Sequence, residues 1–408
     1  MYYEFREPIH GFITLEDHEM SIVDSRPFQR LRNIRQLGTT YLVYPSANHT
    51  RFEHSLGTLQ VVSEIFDHLV KSYSEELGWN KDEKIKSYRR LVRLAALLHD
   101  IGHAPFSHSS ESLMPIESGD RYKHEDYTRE VITNLDEIAQ KIQDVGLDPR
   151  DVAAIATGKT TEPEHDFLSD LLTGELGADR IDYLLRDSYH LGVIYGKFDY
   201  PRLLQTLVVR KMPTEEGEQE VPQIAIEEGG VHAAEALYIA RYWMFLQVYF
   251  HKTRRILDRH LTEFLRDHLQ DGTYPSSMDD FLQWDDFKVL GLLTDQSDTV
   301  HHDRLLKRKH FREAFLTSDH PKDFELERFA WLMEKLENNN AYNDNIYIDD
   351  KASMDPYNYS APSIFIKRSS ILQNLDKVDT RRVYADLSIR DNVETECKEF
   401  WEKRGQGR

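Results

Sequence analysis

Two imidazoles and two carboxylates in this chain carry the residue types of a metal centre: His54 in Arg51-Phe52-Glu53-His54-Ser55, the adjacent pair His99-Asp100, and Asp179 in Asp179-Arg180-Ile181-Asp182-Tyr183. A mixed N/O ligand set of this kind suits Fe, Mn, Co or Zn, and Mg less comfortably, and it leaves coordination positions open for substrate and water. Neighbouring residues in mid-helix point about 100° apart, so His99 and Asp100 can converge on one ion only where the backbone is leaving helical geometry. Gly102 and Pro105 predict such an exit directly after the pair. Further imidazoles crowd the same stretch: His103, four residues beyond His99, then His108, then His124 in Tyr122-Lys123-His124-Glu125-Asp126. Imidazoles beside a metal-bound phosphate can serve as general acids and as phosphate clamps. Taken singly, each is an ordinary core histidine, as we read His68, His165 and His190.

The elements that must position these groups are mostly helical. Apolar residues at three- and four-residue spacing predict amphipathic helices over 20–36 and 55–75, and Leu91 to Leu98 is apolar enough to be buried on most sides. Further helices are expected over 123–144, 165–174, 178–190 and 231–269. Alternation over 206–228 around Glu215-Glu216-Gly217-Glu218 predicts a hairpin. From about residue 320 the texture changes: Asn338-Asn339-Asn340 and Asp344 to Asp355 are turn-rich, and Ser363 to Lys367 reads as a strand. The expected architecture is mainly α, a helical core with small β-hairpin elements and a smaller α+β C-terminal lobe. Its expected divisions are a core over 1–260, a helical extension over 261–320 and the mixed lobe over 321–408.

Composition narrows the functional classes. The 408 residues are 40% apolar and 30% charged, as in a soluble globular protein. Their net charge of −20 disfavours non-specific nucleic-acid binding but leaves room for a nucleotide in a locally basic pocket. One cysteine, Cys397, rules out an intrachain disulfide or a zinc–thiolate cluster and suits a reducing cytoplasm. The N-terminus lacks the pattern of a signal peptide, and the most apolar window, Ala236 to Phe250, is broken by Arg241 and Gln247. No membrane association is expected.

The ordered blocks Phe28-Gln29-Arg30-Leu31-Arg32, Gln36-Leu37-Gly38, Arg51 to Gly57, Leu98-His99-Asp100-Ile101-Gly102-His103 and Asp182-Tyr183 with Arg186-Asp187 resemble the HD-domain metal phosphohydrolases, and within them the deoxynucleoside triphosphate triphosphohydrolases. The resemblance runs from about residue 5 to 260 and fades after 320, and no preceding SAM domain is expected. It implies a divalent metal held by His54, His99, Asp100 and Asp179. It places Arg51, His103, His108, Arg180 and Tyr183 around a triphosphate, with Arg180 standing where the family more often has Lys. His108 and His124, oriented by Glu111, would sit at the scissile bond. Gln36 and Asp187 match positions that bind the sugar 3′-hydroxyl. Leu37 and Tyr249 match those that would crowd a 2′-hydroxyl, and Arg241 and Lys252 match further phosphate contacts. The implied reaction converts a dNTP to deoxynucleoside and inorganic triphosphate.

The resemblance also bears on regulation. Asp24, Gln29 and Arg32 match positions with which allosteric members read guanine between subunits, implying activation by dGTP or GTP in a homotetramer built as a dimer of dimers. Tyr3 stands where a lysine is expected, and Arg6, or Arg308 and Arg312, are candidates to replace it. Standing alone, the three residues read as a capped helix, with Asp24 or Ser25 as N-cap. Two other functions stay open on sequence: an HD-type hydrolase of a nucleoside monophosphate, alarmone or cyclic dinucleotide, and a nucleotide sensor or single-strand binder with weak catalysis.

Overall fold

Helix Arg51–Tyr73 buries one long apolar face, from Phe52 and Leu56 to Phe66 and Leu69, and the other core helices collect around it. In the computed structural model, which describes residues 2–117, 119–160, 162–213, 220–295, 299–355, 369 and 371–403, it packs against helices Asp82–Leu98 and Ala178–Leu191. Helix Asp82–Leu98 is buried throughout its last two turns and ends immediately before His99. Helices His124–Asn134, Pro149–Thr157 and Pro163–Thr173 close the other side of that bundle. The molecule is mainly helical, with small antiparallel sheets. Among the described residues no helix is long and apolar enough to cross a membrane.

The sheets are peripheral. Strands Tyr2–Glu7 and Gly11–Glu16 form an N-terminal hairpin, and Leu207–Pro213 pairs with Glu220–Ile226 in the expected second hairpin, whose turn lies outside the described residues. Arg312–Leu316, Val378–Ala385 and Ile346–Met354 make a three-stranded antiparallel sheet with Val378–Ala385 in the centre. Helices Asp323–Glu337 and Arg390–Lys403 cover it, enclosing a separate small core around Phe329, Leu332, Val383 and Val393.

Several expected elements divide. The single helix over 20–36 becomes Asp17–Val23, Arg26–Arg30 and a 3-10 turn Leu31–Asn33, because Pro27 has no N–H to continue a ladder and instead starts a new helix. The 123–144 helix breaks at the extended residue Leu135. The long 231–269 helix is Val231–Met244, a π turn Phe245–Tyr249, and Lys252–His268 capped by the His251 side chain. Much of the turn-rich stretch from Asp344 to Asp355 is strand Ile346–Met354, and the strand expected at 363–367 lies outside the described residues. Hairpin 2–16 and helix Pro149–Thr157 were not among the expected elements.

Candidate active site

The four proposed ligands come from three elements: His54 from the first turn of Arg51–Tyr73, His99 and Asp100 from the exit of Asp82–Leu98, and Asp179 from the first turn of Ala178–Leu191. The helix end frees the adjacent pair from mid-helix divergence. His54 Nε2 lies 3.0 Å from Asp179 Oδ1, 3.2 Å from His99 Nε2 and 3.5 Å from Asp100 Oδ2. His99 Nε2 is 3.5 Å from Asp100 Oδ2 and 3.8 Å from Asp179 Oδ1.

Metal–ligand bonds of 2.0–2.2 Å put neighbouring donors about 3–3.6 Å apart, so His54, His99 and Asp100 fit one small divalent cation, with Asp179 beside the two imidazoles. Electrostatics agree. Burial alone would push the His54 imidazole down, but hydrogen bonds to Asp179 and Asp182 raise it to about 10. Burial raises the Asp100 carboxyl less than Arg51, His99 and His103 lower it, and it sits well below the ordinary range. The carboxylates stabilise positive charge at the point where the ring nitrogens meet, and a divalent ion supplies that charge without protons.

Residues behind the ligands hold them in place, and of these only Arg51 was among the expected site residues. His54 Nδ1 donates to Asp182 Oδ2 at 2.7 Å, and His99 Nδ1 donates to the Ala96 carbonyl at 2.7 Å, leaving both Nε2 atoms for the ion. Arg51 pairs with Asp100 and donates through Nε to Ser107 Oγ at 2.8 Å. Ser107 and Phe106 both adopt left-handed backbone. The buried Asp286 stabilises that turn by accepting from the Phe106 N–H at 2.7 Å and from the Arg35 N–H at 3.1 Å.

A histidine cluster adjoins the ligands. His103 Nε2 is 3.2 Å from Asp100 Oδ1, and its ring stacks on His124 at 3.8 Å. Burial, Arg51 and His124 hold His103 well below the usual imidazole range, so it is neutral. The His108 and His124 rings meet edge-on at 5.3 Å, and each donates Nδ1–H to a different oxygen of Glu111, at 3.0 and 2.8 Å. Burial would raise the Glu111 carboxyl, but the two imidazoles hold it far below the ordinary range. Gly102 makes this arrangement possible, since any side chain there would collide with the backbone of Thr128 and His124.

His99, Asp100 and Asp179, with His103, His108 and His124, line a cavity of about 600 Å³. Gln36, Leu37, Tyr183, Asp187 and Tyr249 line it as well. Tyr249 OH and His49 Nε2 each donate to Asp187 at 2.7 Å, and Gln36 Oε1 is buried without a partner among the described residues. Three of the expected phosphate contacts, Arg180, Arg241 and Lys252, are not among the residues lining this cavity. Arg180 donates to the Glu175 carbonyl and carboxylate at 2.8 and 2.6 Å. Arg241 donates to the Asp355 carbonyl at 2.9 Å, with its guanidinium beside Tyr183. Lys252 is 3.3 Å from Glu313 in a separate cavity of about 420 Å³, because the π turn and the break at His251 rotate it off the Tyr249 face. Arg254 and Arg255 line the main cavity instead. The run Lys252-Thr253-Arg254-Arg255 was the only sequence signal for them.

The three guanine-matching residues lie apart from this cavity. Gln29 Nε2 donates to the Val23 carbonyl at 2.7 Å, and Arg32 Nε donates to Gln29 Oε1 at 2.9 Å. Arg32 also covers the Phe52 ring. Asp24 is the exposed C-cap of Asp17–Val23, and Ser25 precedes Arg26–Arg30.

The HD domain family model matches residues 51–187, and the HD associated region model matches residues 198–343. The chain is 39% identical over 263 residues to the uncharacterized protein YwfO of Bacillus subtilis, covering 64% of this chain and 54% of that protein. It is 30% identical over 369 residues to the deoxynucleoside triphosphate triphosphohydrolase SAMHD1 homolog of Dictyostelium discoideum, covering 87% of this chain and 62% of that protein. Thus the chain spans between about half and three-fifths of the length of these relatives. The crystal structure of a hypothetical protein from Aquifex aeolicus superposes with a TM-score of 0.80 at 34% identity, covering 97% of this chain and 100% of that one.

Proposed function

We propose that the chain, which carries an HD domain and an HD associated region, is an HD-domain phosphohydrolase that converts deoxynucleoside triphosphates to deoxynucleoside and inorganic triphosphate, using one divalent metal ion. The observation that carries this reading is that one cavity is lined by two unlike sets of residues. One set is Arg51, His99, Asp100, Asp179, His103, His108 and His124, and the other is Gln36, Asp187 and Tyr249. The first suits phosphates and the second a sugar.

When bound, the ion supplies a Lewis acid at a phosphate oxygen and lowers the pKa of water. Arg51 adds a cation where charge accumulates, and neutral His103 offers a hydrogen bond without competing for the proton. The 5′-oxygen of the nucleoside is a poor leaving group unless protonated. Glu111 orients His108 and His124, so either ring, when protonated, can deliver a proton as the bond between α-phosphorus and that oxygen breaks. Water supplies the oxygen retained on phosphorus. Asp187 is aimed at the sugar by His49 and Tyr249, and the buried Gln36 carbonyl oxygen is free to accept from the 3′-hydroxyl. Leu37 and Tyr249 line the same cavity, where their side chains would crowd a 2′-hydroxyl.

The test is product analysis on each dNTP with Mn, Fe, Co, Zn or Mg. Inorganic triphosphate with deoxynucleoside supports the reading, and orthophosphate or pyrophosphate sinks it. The regulatory part of the proposal is a homotetramer activated by dGTP or GTP through Asp24, Gln29 and Arg32. It calls for dATP hydrolysis that rises sigmoidally with dGTP, alongside a change in assembly mass. Full dATP hydrolysis without dGTP, unaltered by Asp24→Ala, would leave those residues only the local bonds described above.

A further inference from the structure

The tip of the N-terminal hairpin reaches the back of the metal-ligand cluster. Asp182, fully buried, accepts four hydrogen bonds. His54 Nδ1 and Arg186 Nε reach Oδ2 at 2.7 and 2.9 Å, and His10 Nε2 and Arg186 Nη2 reach Oδ1 at 2.7 and 2.9 Å. Only His10 comes from outside the helical core. Arg186 is itself fully buried, and its remaining nitrogen, Nη1, donates to Glu7 Oε2 at 3.0 Å. Glu7 also ties the hairpin turn together by accepting the Ile9 N–H at 3.0 Å and the His10 N–H. Gly11, with φ of 80°, turns the chain back at that point. Glu7 and His10 are therefore placed as a unit, and both bear on the carboxylate that orients His54.

Ligating imidazoles depend on such partners, because the acceptor at Nδ1 fixes tautomer and ring angle and raises ligand basicity. Asp182 can hold His54 only while its other oxygen and its counter-cation stay fixed. Removing His10 frees one side of the carboxylate. Removing the Glu7 charge leaves Arg186 to pull on Asp182 alone. We infer that Glu7 and His10 are positioning residues for the ligand His54, so that the N-terminal hairpin acts as a metal-retention element. Ile13 and Leu15 already give the hairpin its apolar contacts with the core, whereas His10 reaches the buried Asp182 directly and Glu7 reaches it through Arg186, contacts that covering the core does not require.

The inference rests on the metal site assigned above, and the experiment separates the two. The full chain is stripped and titrated with Mn²⁺ by equilibrium dialysis, with Co²⁺ absorption as a second readout of ligand geometry. His10→Ala and Glu7→Gln are expected to weaken Mn²⁺ binding by about 10–100-fold and to alter the Co²⁺ spectrum. His10→Gln, whose amide N–H can reach the same oxygen, is expected to stay within about threefold of the unaltered chain. Because His10→Gln keeps the polar contact, it also serves as the folded comparison if His10→Ala unfolds. Unchanged Mn²⁺ affinity and Co²⁺ spectrum in Glu7→Gln and His10→Ala would overturn the hairpin's role and leave the metal site standing. Loss of affinity in His10→Gln equal to that in His10→Ala would likewise overturn it. Failure of the unaltered chain to bind Mn²⁺ or Co²⁺ would overturn both readings.

Discussion

Gly57→Ala offers a test in which two effects of opposite sign compete. Gly57 lies one turn after His54 in the interior of helix Arg51–Tyr73, where replacing glycine by alanine ordinarily stabilises by about 1 kcal/mol. Here an added Cβ would overlap Asp182 Oδ1 and Arg186 Nη2 and stand 2.6 Å from Asp182 Cγ. Neither partner can yield cheaply, since both side chains have no solvent exposure and Asp182 has all its bonds made. Disrupting a buried ion pair costs about 3–5 kcal/mol, so the packing effect wins and the net loss is about 2–4 kcal/mol. Unfolding entropy of about 2.1 cal/mol/K per residue over 408 residues makes each kcal/mol worth about 1 °C. The expected drop in Tm is therefore about 2–5 °C by scanning calorimetry of the metal-free chain, with Mn²⁺ content after dialysis falling in parallel. A Tm raised by about 1 °C, with metal content unchanged, would mean that only helix propensity acts at this position. The account of a rigid Asp182–Arg186 support behind His54 would then be wrong.

Three further outcomes are expected. Asp179→Ala and His54→Ala should abolish turnover and lower bound metal while the fold survives by circular dichroism, and near-normal rates in either would refute the ligand set. Tyr249→Ala should shrink the preference for dGTP over GTP by about tenfold, with weaker binding of both, measured as the ratio of kcat/KM; equal rates on GTP and dGTP in the unaltered chain would refute the pocket reading. Asp286 is fully buried, and burial raises its carboxyl to about 6 against the bonds from Phe106 and Arg35. An acid raised in the folded state gives stability that is complete below its unfolded value near 4 and lost as pH rises through 6, here about 3 kcal/mol. Urea unfolding of Asp286→Asn should lack that decline between pH 4 and 6, and parallel curves for the two chains would exclude it.

The convergence of His99 and Asp100 was legible because its logic is local. A His-Asp pair needs a helix end, Gly102 and Pro105 mark one, and the helix does stop at Leu98. The imidazole cluster was legible for the same reason, as His103 and His108 lie within one short exit segment. Asp182 was harder. It appears in the sequence as half of an i,i+4 pair with Arg186, which reads as an ordinary helix-surface ion pair. Its burial depends on Gly57 of another helix, and its last two neighbours, Glu7 and His10, lie more than 170 residues away in sequence.

The break at residues 245–251 shows why the phosphate side of the pocket resisted the same reasoning. Regular helical spacing would put Arg241, Tyr249 and Lys252 on a common face, and the apolar pattern through 231–269 offers no proline or glycine to interrupt it. A π turn inserts residues without any such marker, because it is held by tertiary contacts and not by propensity. Phe245 packs edge-on to both Tyr249 and Phe250, and Tyr249 is anchored to Asp187, so the chain widens there to satisfy the pocket. The following helix then restarts at His251 in a new register. That shift carries Lys252 toward Glu313 and brings Arg254 and Arg255 to the cavity, where Arg254 donates to the Tyr249 carbonyl at 2.6 Å and Asp349 fixes Arg255. Asp349 belongs to the C-terminal sheet. The C-terminal sheet thus fixes one cation of the cavity lining, Arg255, through Asp349, so the charge in the pocket depends on that sheet as well as on the helical core.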